Sequence, residues 1–236
     1  LFPKVITFVA YEEVFSSPLI IRSLINSVFI TVAGTLIGTL VTAMFAYGIS
    51  DPKMIGARFL IYFVIFTMMF KGGIIPLYLL IKDLGLLNSL WSIILPLIVT
   101  GFNIILMRSF FRSLPESLIE SATIDGANHL TIFFRLILPL SMPIIATILL
   151  FIAVDRWNSF FDGVMYISDE NKKPLQVLLR EFILESDDLV DTDANINLGE
   201  NIKMATVILT VVPILMIYPF LQKYFTKGIL LGAIKG

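Results

Sequence analysis

Residues 120–140 read ESATIDGANHLTIFFRLILPL. Glu120, Asp125 and the chain's single histidine, His129, fall within ten residues of one another, and Glu116 lies one helical turn upstream. Acids beside an imidazole suggest proton transfer or a metal site, but the rest of the chain does not support either. With one His and no Cys, there is no thiolate nucleophile, no disulfide framework and no zinc cluster. No nucleophile–base–acid set is visible. No G-x-x-x-x-G-K-[ST] phosphate loop occurs, so the chain does not bind ATP in that way. The reading is therefore no catalytic residues, no metal and no cofactor. His129 reads as a surface or partner-facing residue.

The polar residues need an element to carry them. Ser113-Leu114-Pro115-Glu116 fits a capping box, in which Ser113 caps a new helix and Glu116 reaches back to the Ser113 N–H. Pro115 is tolerated in a first turn. Leu118, Ile119 and Ala122 then share one face, while Glu116, Glu120 and Thr123 point the other way. Gly126 suits the helix stop, because it takes the left-handed conformation cheaply. A second helix is expected from Ala127 through Arg135, running on into apolar sequence. Judged on physical grounds alone, this helix–glycine–helix element is either a connection lying on a lipid surface or a docking surface.

Hydrophobic residues make up 57% of the 236-residue chain and charged residues 15%, with a mean hydropathy of +0.92. Soluble domains average about 45–50% apolar and about 25% charged. The fold class expected is an all-α integral membrane protein, one transmembrane domain over residues 1–236. A helix needs about 20 apolar residues to cross the hydrocarbon core. Five transmembrane helices are expected: Leu24 to Ile49, Phe59 to Leu79 (broken by Lys71-Gly72-Gly73), Leu90 to Met107, Leu136 to Val154, and Ile202 to Leu221. The apolar piece Ile74 to Leu87 contains Pro76, Lys82 and Asp83 and reads as an interfacial helix.

Charge orients these spans. Lys53, Arg58, Arg108, Arg112, Arg135, Lys223, Lys227 and Lys235 fall in one set of connections. The other set holds residues 161–203, rich in Asp and Glu. Excess Lys and Arg marks the cytoplasmic side. The 113–135 element is then cytoplasmic, residues 161–203 form an extracytoplasmic loop, and the C-terminus is inside. An odd number of spans puts Leu1 outside, and a first helix missing from this chain would give six spans with both ends inside.

Asp155-Arg156-Trp157-Asn158 closes the fourth span. Two readings stand side by side: an interfacial anchor with Trp157 in the aromatic belt, or a substrate pathway in which Trp157 offers an aromatic face and Asn158 an amide. Asn103, in the third span, can be packing or pathway. Along the first span, Asn26, Thr31, Thr35, Thr39 and Thr42 recur with Gly34 and Gly38, a pattern read as close helix packing.

Glu120-Ser121-Ala122, Asp125-Gly126, a nine-residue gap to Leu136, and Leu138-Pro139 resemble the EAA loop of bacterial ABC importer permeases, which reads E-A-A, three residues, G, nine residues, I-x-L-P. Ser121 and Leu136 depart from that pattern. Trp157-Asn158, Phe160-Phe161, Lys173-Pro174-Leu175 and the ending Phe225-Thr226-Lys227-Gly228 through Gly236 resemble the carbohydrate, maltose-permease-like branch. Lys71 through Pro76 with Leu84-Gly85-Leu86 is similar to the subgroup for larger or acidic oligosaccharides.

The resemblance implies that the 113–135 loop is a coupling helix docked on a separate ATPase subunit, through Glu116, Glu120, Ser121, Ala122, Asp125, Gly126 and Ala127. It implies half of a translocation pathway in a bacterial cytoplasmic membrane, with alternating access between two states. The partners implied are a second related permease, two copies of an ATP-binding subunit, an extracytoplasmic solute-binding protein that touches the 161–203 loop, a carbohydrate and the lipid bilayer, with no nucleic acid. The alternatives are a secondary transporter, which would need coupling carboxylates buried mid-span, an importer permease for a non-sugar solute, and a non-transport scaffold or receptor.

Overall fold

The computed structural model describes residues 8–188, 201 and 204–216. All regular structure among them is helical. The helices are α1 (Val9–Ser16), α2 (Pro18–Gly48), α3 (Ala57–Met69), α4 (Ile74–Asp83), α5 (Trp91–Ile94), α6 (Gly101–Phe111), α7 (Glu116–Ile124), α8 (His129–Ile132), α9 (Leu138–Leu140), α10 (Met142–Trp157), α11 (Phe160–Tyr166), α12 (Leu175–Asp188) and α13 (Met204–Met216).

α2 begins on Pro18, whose missing N–H costs nothing in a first turn. Its 31 residues extend for roughly 46 Å at 1.5 Å per residue, enough to cross a bilayer core of about 30 Å. Its faces are inverted relative to a soluble helix. Ser23, Ser27, Thr31, Thr35, Thr39 and Thr42 are buried, while Ile25, Phe29, Val32, Leu36, Leu40 and Met44 are exposed. Small hydroxylated residues allow helices to approach closely where hydrocarbon surrounds the outer face. Of the two glycines expected to serve that packing, Gly38 shows why it is needed: a Cβ there would lie 2.8 Å from the Ile98 carbonyl oxygen.

Five uninterrupted spans are not found among the described residues. α2 alone is one helix long and apolar enough to cross, and the number rises to three if each of two sharply bent pairs is one span. The second expected span stops at Met69, and α4 departs from α3 at 112° because Gly73 takes φ +87°. The third is split: α5 ends at Ile94, Pro96 cannot donate to a helical ladder, Leu97 adopts φ 53°, and helix resumes at Gly101. The fourth is bent by 84° between the helical stretch His129–Leu140 and α10. Pro139 has no N–H for the Arg135 carbonyl, and a wider π turn over Phe133–Ile137 makes room for its ring. Ser141 then departs from helical dihedrals, at φ −100° and ψ 14°, ahead of Pro143. The fifth is seen as α13, and residues 217–221 of it lie outside the described residues, as do Leu1 and the ending from Phe225 to Gly236.

The chain forms two compact units. One comprises Leu1–Val32, Tyr78–Leu95 and Val154–Tyr218. Its core is Val14, Ile20, Trp157, Leu175, Leu178 and Ala205. The other comprises Ala33–Leu77, Pro96–Ala153 and Pro219–Gly236. Its core gathers Ala43, Ala46, Met107, Phe111, Phe133 and Ile137 among others.

Candidate functional site: a glycine-capped hairpin and a pinned strap

The hairpin expected at residues 113–135 is present in the second unit, with a different start. Pro115, in an extended conformation, precedes α7, and no side chain caps the helix. The Ser113 hydroxyl instead donates to the Phe110 carbonyl at 2.7 Å, so the capping box is not formed. Ser113 is thereby committed to finishing α6.

The stop is as expected. Gly126 has φ +82°. Its N–H donates to the Thr123 carbonyl and that of Ala127 to the Ala122 carbonyl, each at 3.0 Å. These two bonds satisfy carbonyls that the helix end would leave open, and they require a left-handed residue at 126. The second helix begins at His129, two residues later than expected, because the Asn128 side chain accepts the Thr131 N–H at 2.8 Å and caps it.

α7 also divides its apolar residues differently from the sequence expectation. Ile119 and Ala122, with Leu114 and Ala127, pack on the unit's own core. Leu118 is left outside, and Ile124, 85% exposed, is the most open of the hairpin's large apolar side chains. Glu116, Glu120, Ser121, Asp125 and Gly126 are exposed. Glu116, Glu120 and Ile124 border a concavity of about 980 Å³, with Lys53, Arg112 and His129 on its other walls. Carboxylates beside an open isoleucine, with no nucleophile among them, suit recognition of a basic and apolar surface.

The residues considered for a substrate pathway have distinct surroundings. The Trp157 indole is buried in the first unit's core and donates its N–H to the Thr210 carbonyl at 2.9 Å. Asn158 remains outside: its amide donates to the Val154 carbonyl at 2.8 Å and its oxygen accepts from Gln176 at 3.3 Å. Asn103 is buried in the first turn of α6, its N–H facing the Thr100 hydroxyl at 3.4 Å. Neighbouring Arg156 is buried too and donates to the Ile93 carbonyl.

The expected 161–203 loop is structured over its first part. α11 leads into a strap, residues 166–175, and then into α12. Two elements hold the strap. From one, Asn88 receives the Ser168 N–H at 2.7 Å, the Ser168 hydroxyl at 2.9 Å and the Asp169 N–H at 3.1 Å on its side-chain oxygen. From the other, α2 contributes Arg22 to the Asn171 side chain, Asn26 to the Asn171 and Lys173 carbonyls, and the Ser27 hydroxyl as acceptor of the Leu175 N–H at 2.8 Å. Asp169 accepts the Asn171 N–H at 3.0 Å, which with nearby Lys172 holds its carboxyl below the usual range despite some desolvation. Lys173 pairs with Glu181 of α12 at 2.7 Å. Residues 189–200, 202 and 203 of the loop lie outside the described residues. The sequence reading did not find Asn88. Its place after Gly85 in a turn was visible, but its partners stand about 80 residues on.

A long helix with inverted faces, sharply bent partner helices and an exposed acidic hairpin describe a membrane-embedded protein. The sequence model for "binding-protein-dependent transport system inner membrane component" matches residues 55–231, and the chain belongs to that family. It is 44% identical over its whole length to the polygalacturonan/rhamnogalacturonan transport system permease protein YtcP of Bacillus subtilis, covering 84% of that protein. It is 45% identical, again over its whole length, to protein LplC of the same organism, covering 81%. A crystal structure of a bacterial ABC transporter that imports the acidic polysaccharide alginate contains a chain 35% identical to this one, with a TM-score of 0.87 over 95% of this chain and 82% of that one.

Proposed function

We propose that this protein is a permease subunit of an ATP-driven carbohydrate importer in a bacterial cytoplasmic membrane, forming half of the translocation pathway. The observation that carries it is the glycine-capped α7 hairpin, with Glu116, Glu120 and Ile124 exposed on it, in a chain of the binding-protein-dependent family. α7 is the coupling helix: Glu116, Glu120, Ser121 and Asp125 meet a separate ATPase subunit, Ala122 and Ala127 seat the hairpin on its own unit, and Gly126 sets the angle between its two arms. Two ATPase copies, a second related permease and an extracytoplasmic solute-binding protein complete the assembly. Five crossings place the hairpin inside and residues 161–203 outside, a reading supported by the alternation of basic and acidic connections.

The cargo is an oligosaccharide. Polysaccharide transport among the relatives supports this reading, and the acidic alginate case favours uronate-bearing chains. Asn158 is the exposed candidate for contact with it, whereas Trp157 and Asn103 are buried, each within its own unit. The test is uptake of neutral and uronate oligosaccharides by vesicles containing the complete complex. ATP-dependent uptake of an oligosaccharide, abolished when the ATPase subunit is left out, is the expected result. Uptake that persists without the ATPase and follows an ion gradient would overturn the reading in favour of a secondary transporter.

A further inference from the structure

Asn88 stands out among the polar residues that the coupling hairpin does not use. It forms five hydrogen bonds to one segment. Its N–H donates to the Tyr166 carbonyl at 2.9 Å. Its side-chain oxygen takes the three donors from Ser168 and Asp169. Its carbonyl accepts from the Lys172 ammonium at 3.0 Å. Asn88 adopts φ 58°, a conformation that costs most side chains energy and that Asn tolerates better than other non-glycine residues.

The segment so held is packed on a further side. A Cβ on Gly163 of α11 would lie 2.6 Å from Val177 and 3.0 Å from Pro174, so α11 sits directly against the strap and the start of α12. Beyond the strap, α12 buries Leu175, Val177 and Leu178, whereas Arg180 is exposed. The strap thus fixes the position and tilt of a helix whose outer side is open. A surface held in its bound form before contact loses less freedom on docking than one that must be ordered by the partner.

We propose that Asn88 is a positioning residue for docking of the solute-binding protein: it holds strap 166–175, and through it α12, in the docking conformation. This rests on the reading that residues 161–203 face that protein.

The experiment uses the complete transporter in nanodiscs, with fluorescently labelled solute-binding protein titrated onto it. Asn88→Gly tolerates the left-handed backbone and removes the side chain that accepts the three bonds. Asn88→Asp retains the acceptor oxygen. Asn88→Gly is expected to raise the Kd by about five- to tenfold, as when lost hydrogen bonds leave a surface to be ordered on contact. The binding amplitude, which reports assembled and folded complex, stays level, and Asn88→Asp restores the Kd. If Asn88→Gly lowers the amplitude at unchanged Kd, Asn88 serves folding alone and the proposal is overturned. Arg180→Glu, on the open side of α12, separates the two layers of the argument. If it raises the Kd while Asn88→Gly does not, docking on this surface stands and the positioning role is wrong. If neither variant moves the Kd, the docking reading itself falls and the proposal goes with it.

Discussion

The strap at 166–175 and the hairpin at 113–128 are both short, polar and interposed between apolar helices, but they are held in different ways. The strap is fixed by side chains distant in sequence: Arg22, Asn26 and Ser27 from about 145 to 149 residues away, and Asn88 from about 80. The hairpin's hydrogen bonds, among the described residues, are all local, spanning five residues or fewer, as in Ser121 to Leu118, Thr123 to Ile119 and Ala127 to Ala122. Long-range attachment reaches it only through apolar packing by Leu114, Ile119, Ala122 and Ala127. Local bonds preserve a shape as it moves, and directional bonds to distant elements resist movement. The hairpin is built as a stiff piece on a soft seat, as the proposed coupling role requires, and the strap as a fixture.

The largest expected effect lies in the hairpin. A Cβ at Gly126 would meet nothing within 4 Å, but Gly126→Val must hold φ +82°, at a cost of about 1–2 kcal/mol for a residue with a side chain. The hairpin angle should change while the protein remains in the membrane. Co-purification of the ATPase subunit and sugar-stimulated hydrolysis should both fall by about tenfold, the equivalent of roughly 1.4 kcal/mol of docking free energy. Glu120→Lys should do the same by charge reversal at an exposed position. Normal coupling in both variants, at normal membrane levels, would leave the hairpin as a surface connection.

Removing residues 185–195, which follow the strap and leave it in place, tests the use of the outer loop. Uptake should be severely impaired while the ATPase still co-purifies, because the hairpin is untouched. Unchanged uptake would make this segment a mere acidic cap.

A further variant, Gly38→Leu, probes neither region directly and so calibrates both. Its Cβ would meet the Ile98 carbonyl oxygen, and overpacking of this kind typically costs about 1–3 kcal/mol. Thermal unfolding in detergent should shift down by several degrees, with coupling per folded complex preserved.

The smallest effect concerns pH. The folded state holds the Asp169 carboxyl below its ordinary value, chiefly through the Asn171 N–H. Its contribution to the strap is therefore fully present above the unfolded pKa and is lost as pH falls through the lower, folded one. Hydrogen exchange of the Asn171 and Lys172 amides, corrected for intrinsic rates, should speed up only in that acid range. Asp169→Asn should flatten the dependence.

Legibility in the sequence followed the range of the interactions. Gly126 and its two-bond cap were readable because every atom involved lies within five residues. The first span was readable because its apolar run is long and contains no proline after its first turn. The capping box failed on a local competition that spacing cannot decide: Ser113 sits close enough to the Phe110 carbonyl to finish the preceding helix instead. The spans around Pro96 and Ser141 kept their hydropathy but not their continuity, since hydropathy averages over the one or two backbone positions that bend a helix. Residue type left Trp157 open between an interfacial anchor and a pathway residue, and its bond to Thr210 was not legible because Thr210 lies 53 residues on. The Asn88 clamp is the extreme case, where nothing near Asn88 announces Ser168.

The inverted faces of α2 bear on which sequence changes this protein can accumulate. In a water-soluble relative of equal length, the outward positions would drift freely among charged and polar residues, and the inward ones among large aliphatic residues. Here Ile25, Leu36 and Leu40 can exchange among bulky hydrocarbons without consequence. Thr31, Thr35 and Thr39 can exchange only with alanine, serine and glycine. A saturation library along this helix would therefore show a tolerance profile with the usual helical period and the opposite phase, with size penalised inside and charge penalised outside.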